Sequence, residues 1–61
     1  MTSREVIRLL KKHGWFEVPA IGGHRQFEHA SKPNKVTVPY HSGDLKPRTL
    51  ASILKQAGLE A

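Results

Sequence analysis

Two stretches of the chain alternate at the helical period, and a shorter-period region lies between them. Near the start, Val6, Leu9, Leu10 and His13 recur at helical spacing, so one stripe faces a core. Arg4, Arg8 and Lys11 or Lys12 fall on the other faces. Thr2-Ser3-Arg4-Glu5 has the form of a capping box, in which hydroxyl and carboxylate each satisfy the other's backbone N–H. Gly14 supplies a left-handed helix ending, and Trp15 after it can fold back on Leu10. Near the end, Leu50, Ile53, Leu54 and Ala57 form a second stripe, opened by Pro47 and closed by Gly58. Leu59 can pack on Leu54, so "LLKKHGW" and "ILKQAGL" are the same helix ending written twice.

Between the helices, residues 15–18, 24–29 and 35–39 are short, β-rich runs. Pro19 and Gly22-Gly23 punctuate the first gap, and Ser31-Lys32-Pro33-Asn34 reads as a turn in the second. Residues 40–46 read as a polar loop leading into the last helix. The order α-β-β-β-α predicts an α+β fold: a three-stranded antiparallel meander with both helices on one face. Alternation then turns Phe16, Val18, Phe27, Val36 and Val38 toward the helices. Glu17, His24, Gln26, Glu28 and Thr37 turn to the open face, and Glu17 and Glu28 become the one acidic pair expected to share it. Arg25 and His29 have the parity of Phe27 but sit at strand ends, where helical cover can run out.

Size changes the picture first. Sixty-one residues make one domain at most, spanning 1–61, with marginal stability and no room for a deep two-lobed pocket. No large organic cofactor is expected. Charge changes it next. Ten Lys and Arg against five Asp and Glu give a net charge of +5, which attracts polyanions, nucleic acid foremost. Cysteine is absent, which removes disulfides and thiolate zinc sites. No apolar run has the length of a membrane span or a signal peptide, so a cytoplasmic protein is the default expectation.

The candidate chemistry is sparse. Four histidines invite a metal, yet no pair has the i, i+4 spacing of zinc helices, and His24 and His29 face opposite ways along one run. No metal is expected. His13 suits a helix C-terminus. Ser3, Ser31, Ser42 and Ser52 lie in caps, turns or helix, with no nucleophile elbow around them. One histidine can still act on RNA, because the substrate carries its own nucleophile, the 2′-hydroxyl, beside the scissile phosphate. A general base or acid within hydrogen-bond reach moves that proton, and nearby cations stabilise the phosphate. His24, exposed after a glycine pair, is the candidate base. Arg25, Lys32, Lys35, Lys46 and Arg48 are the candidate cations, though solvated surface charge is the simpler reading of any one of them. Three functions stay open on these grounds: a metal-independent ribonuclease, a non-catalytic RNA-binding module using the same basic face, and a protein whose positive face meets an acidic partner.

Four segments in this order carry a family resemblance: "REVIRLLKKHGW" (4–15), "GGHRQFEH" (22–29), "KVTVPYH" (35–41) and "LKPRTLASILKQAGL" (45–59). Together they make the chain similar to the HicA-type toxins of bacterial toxin–antitoxin systems, over nearly its whole length. The resemblance implies a fold like a double-stranded-RNA-binding domain, endoribonuclease activity on mRNA that halts translation, and a HicB-type antitoxin as protein partner. It places the catalytic histidine on His24, the histidine after the glycine pair, and makes His41 a further RNA contact. Family members often carry serine or threonine before the histidine. Gly23 stands there in this chain, so any role of that hydroxyl is missing.

Overall fold

The computed structural model describes residues 1–20, 22–40 and 43–59. Helix α1 (Ser3–Lys12) is followed by strands β1 (Trp15–Val18), β2 (His24–His29) and β3 (Lys32–Pro39), and then by helix α2 (Pro47–Ala57). The three strands form one antiparallel sheet in sequential order. This is the α+β, α-β-β-β-α architecture expected from the periodicity. No described helix is long and apolar enough to cross a membrane.

The start of α1 and the end of α2 follow the physics read from the sequence. The Thr2 hydroxyl accepts from the Glu5 N–H at 3.1 Å, and the Glu5 carboxylate accepts from the Thr2 N–H at 2.8 Å. Those bonds, the Thr2 N–H foremost, hold the Glu5 carboxyl below its usual range. At the far end of the chain Gly58 takes φ +70, and the Leu59 N–H reaches back to the Leu54 carbonyl at 2.8 Å. That pairing is the Schellman ending expected there.

One core lies between the sheet and the helices. It joins Val6, Ile7 and Leu10 of α1, Trp15, Phe27, Val36 and Val38 of the sheet, Leu45, and Ile53 and Ala57 of α2. The four sheet residues share one face, so both helices cover the same side. The buried stripe of α1 is Ser3, Val6, Ile7 and Leu10. It is therefore rotated from the expected one: Leu9 is only partly covered, and His13 is exposed. Leu45, in the segment read as a polar loop, is buried, and its N–H donates to the Met1 carbonyl at 2.8 Å. The turn between β2 and β3 is also shorter than expected, because Lys32 already pairs with His29.

Strand β1 has the opposite orientation from the expected one. Trp15 lies opposite His29 and Glu17 opposite Phe27, so Trp15 and Glu17 point to the helix side. Phe16 and Val18 point to the open face, and Phe16 is 49% exposed. The reason is the size of the indole. Trp15 offers more apolar surface than either neighbour, and it comes straight after the helix ending that leads into the core. Burying it at 2% exposure fixes the parity of the rest. Glu17 and Glu28 consequently lie on opposite faces.

The relative placement of the elements sets the two ends of the sheet. The buried Ser3 hydroxyl donates to the Pro39 carbonyl at 2.8 Å, which puts the start of α1 at the end of β3. The Asn34 side-chain amide donates to the Gln56 carbonyl at 2.7 Å, which puts the end of α2 near the start of β3. Both helix N-termini therefore lie at the end of the sheet where β2 begins.

Candidate active site

His24 is the first residue of β2 and pairs with Pro39 of β3. Gly22 enters the strand with φ +91, a left-handed conformation that glycine adopts without a Cβ penalty. The Gly23 carbonyl accepts from the Tyr40 N–H at 3.4 Å, so the backbone before the histidine is tied to the adjacent strand. Alternation from the buried Phe27 places the His24 imidazole on the open face, where it is exposed. Among the described residues its ring has no hydrogen-bond partner. It borders a shallow cleft of about 530 Å³, lined also by Glu17, Val18, Pro19, Ala20, Gly22 and Arg25.

Arg25 follows His24 and points to the helix side. Its Nε donates to Glu17 Oε2 at 2.6 Å, and its Nη2 donates to Oε1, forming a two-pronged pair. The guanidinium carbon also lies 4.8 Å from the centre of the Tyr40 ring. The hydrogen bonds to Arg25 hold the Glu17 carboxyl below its usual range, and those to Glu17 raise Arg25 above its own. Arg25 is thus a fixed, charge-compensated group at the cleft edge.

The other candidate cations are dispersed. Lys46 occupies the N-cap position of α2 without a side-chain capping bond and Arg48 lies in the first turn, both exposed at the His24 end of the sheet. Lys35 lies 3.6 Å from Glu28 in an exposed ion pair on the strand stretch away from His24. Lys32, opposite His29, lies at the far end of the sheet, roughly 17 Å from His24 for five residues of strand. His41 falls outside the described residues.

The remaining histidines have other surroundings. His29 Nε2 lies 3.0 Å from the His13 carbonyl, and its Nδ1 accepts from the Ser31 N–H at 3.0 Å. Its ring meets Trp15 edge to face at 5.2 Å. These contacts tie the end of α1 to the β2–β3 turn and suit the Nε2–H tautomer. Among the described residues no three His, Asp or Glu side chains come together as a metal site.

Two features are not apparent in the sequence. Glu17 belongs with Arg25, which only the inverted parity of β1 reveals. Tyr40 belongs with Arg25 as well, just past the end of β3. A groove of about 320 Å³ beside them is lined by Arg4, Ile7, Arg8, Lys11, Arg25 and Tyr40. The spacing of Arg4, Arg8 and Lys11, one per helical turn, is the signal in the sequence that locates it.

Comparison with known proteins bears on the family and the fold. No curated protein sequence matches the chain. A solved toxin–antitoxin complex from Streptococcus pneumoniae contains a similar chain: 35% identity, 97% of this chain and 98% of that one covered, TM-score 0.84. The family model for the HicA toxin of bacterial toxin–antitoxin systems matches residues 3–59, all five elements included. The chain therefore belongs to the HicA toxin family.

Proposed function

We propose that this HicA-family toxin is a metal-independent endoribonuclease that cuts mRNA and so blocks translation, with His24 as general acid and base. The observation that carries the reading is the exposed imidazole of His24, without a hydrogen-bond partner among the described residues and held by paired backbone at the rim of a cleft. In the proposed step one His24 ring nitrogen accepts the proton of a ribose 2′-hydroxyl. The 2′-oxygen attacks the adjacent phosphorus, and the bond from phosphorus to the 5′-oxygen breaks. The products are a 2′,3′-cyclic phosphate and a 5′-hydroxyl, the latter taking up the proton. An imidazole nitrogen can both accept and return a proton, so one group can serve at both stages.

Charge on the phosphate is met by cations at the same end of the sheet. Lys46 and Arg48 are exposed there, whereas Arg25 is already committed to Glu17 and acts by fixing the cleft edge. Lys32 and Lys35, farther along the sheet, reach only the flanking strand. We assign His41 to the same RNA surface on the family resemblance alone. The reading treats residues 1–61 as one toxin domain acting in the cytoplasm. The similar chain was solved in a toxin–antitoxin complex, which supports a HicB-type antitoxin as this chain's partner. Such a partner would inhibit by covering the open face around His24.

The test is cleavage of labelled mRNA by wild type and His24→Ala, each with and without EDTA, beside thermal melts of both. The expected result is fragments from the wild type in either buffer, none from His24→Ala, and matching cooperative melts. Full cleavage by His24→Ala overturns the reading. An RNA shift without fragments from the wild type would make the chain an RNA-binding module instead.

A further inference from the structure

We infer that the groove between α1 and the His24 end of the sheet is a binding track for single-stranded RNA, with Arg4, Arg8 and Lys11 contacting successive phosphates and Tyr40 stacking a base. The inference depends on the proposed function only for RNA as the ligand.

The cations form a built stripe. Arg4, Arg8 and Lys11 are at i, i+4 and i+7 of α1, all exposed and on one helix face. None of the three makes an ion pair with a described residue. Together they span about 10 Å along the helix axis. Long, flexible cationic side chains one helical turn apart can each reach a successive phosphate of a single strand. Beneath them Ile7 forms an apolar floor that is 6% exposed.

The groove also has an aromatic end. Tyr40 is 45% exposed and lines it, with Arg25 set over the ring. A cationic groove ending in an exposed aromatic ring is the usual means of holding single strands: charge follows the backbone while the ring takes a base. Arg25, held by Glu17, lines both this groove and the His24 cleft. It is a positioning residue that keeps Tyr40 in place and joins the two surfaces. A strand lying along α1 would then continue to His24. An acidic protein segment is the competing occupant, since protein interfaces are also enriched in Arg and Tyr, and the experiment below separates the two.

The experiment measures binding of a fluorescein-labelled 2′-O-methyl oligouridylate by anisotropy across a salt series. That probe has no free 2′-hydroxyl, so binding is read whether or not the protein cuts RNA. The variants are the triple Arg4→Gln, Arg8→Gln, Lys11→Gln, the single Tyr40→Ala, and Lys55→Gln as an exposed cation outside the groove. Glutamine keeps the helix propensity of the residues replaced, and circular dichroism melts verify folding. For the triple variant the expected result is binding weaker by about tenfold or more and a log–log salt slope smaller by about 2, at ~0.7 per phosphate contact on a single strand. Tyr40→Ala should weaken binding about tenfold with the slope unchanged, and Lys55→Gln should match the wild type. Unchanged affinity and slope in a folded triple variant overturn the inference. So does loss of binding to poly-glutamate with RNA binding intact, which would assign the groove to an acidic protein. Failure of the wild type to cut mRNA, with the groove effects present, sinks the ribonuclease reading and leaves the track standing.

Discussion

Replacing Gly14 by alanine should destabilise the fold far more than its surface position suggests. Gly14 has φ +93, and a Cβ at that position would lie 2.7 Å from His29 Nε2. Two costs follow. Holding an L-residue in the left-handed region costs about 1–2 kcal/mol. His29 must also move, and its ring is held at both nitrogens and against Trp15, so at least the contact with the His13 carbonyl is lost. That contact is worth about 1 kcal/mol. Alanine stiffens the unfolded chain, which offsets about 0.4–1 kcal/mol. The net loss is about 2 kcal/mol, or roughly 8–16 °C in Tm for a domain of this size. Thermal melts followed by circular dichroism measure it, and a double-mutant cycle with His29→Ala separates the two costs. In the His29→Ala background the clash is gone, and Gly14→Ala should cost only about 1 kcal/mol. A loss below about 0.5 kcal/mol in the wild-type background would refute the reasoning. An equal loss in both backgrounds would refute the role given to His29.

Three further outcomes are expected. Trp15→Ala should cost about 3–5 kcal/mol and leave little folded protein, while Phe16→Ala should stay within about 1 kcal/mol in urea titrations; the reverse order would contradict the assigned faces of β1. Glu17 has a depressed carboxyl pKa in the folded chain, so its pair with Arg25 stabilises above the unfolded range near pH 4.3 and is lost as pH falls through the lower folded value. Melting temperatures of wild type and Glu17→Gln should accordingly differ at pH 7 and converge on acidification, and a gap independent of pH would count against the pair. Gly23 has an ordinary backbone conformation, and beyond its chain neighbours a Cβ there would meet nothing within 4 Å, so Gly23→Ser should keep Tm within about 3 °C and retain RNA cleavage. A larger drop in Tm would mean that the turn before His24 is more crowded than its geometry indicates.

The contrast between β1 and β2 shows what the sequence could and could not convey. In "HRQFEH" a single large apolar residue, Phe27, sits among polar ones, so its burial sets every side chain's face, that of His24 included. In "WFEV" apolar residues occupy both parities, and alternation has no unique solution. The decision falls to the volume available in the core, which a one-dimensional pattern does not contain. The helix ends were legible because capping is local: Thr2 with Glu5, and Leu54 with Gly58 and Leu59, lie close together along the chain. Leu45 was not legible, because its burial depends on where the chain returns after β3. The Glu17–Arg25–Tyr40 group was hidden for the same reason, since it joins three segments and one of them is the strand whose parity alternation leaves undecided.

A core this small also explains where chemistry can sit. Among the described residues the side chains below 2% exposure are Val6, Leu10, Phe27, Val36, Val38, Ala57 and Ser3, and the one polar member is satisfied by the Pro39 carbonyl. A further buried polar group without a partner would cost about 1–3 kcal/mol, a large fraction of the stability available to a chain of this length. Reactive side chains are therefore placed where they contribute nothing to packing. His24, the residue proposed to carry the chemistry, fits that rule: its backbone is fixed by pairing with β3 and by the Gly23–Tyr40 bond, while its ring stands clear of the core. Position is thus imposed through the strand rather than through contacts of the imidazole. It follows that removing the ring should leave the fold intact, whereas loosening the Gly22–Gly23 turn or the end of β3 should disturb the site with the imidazole still present.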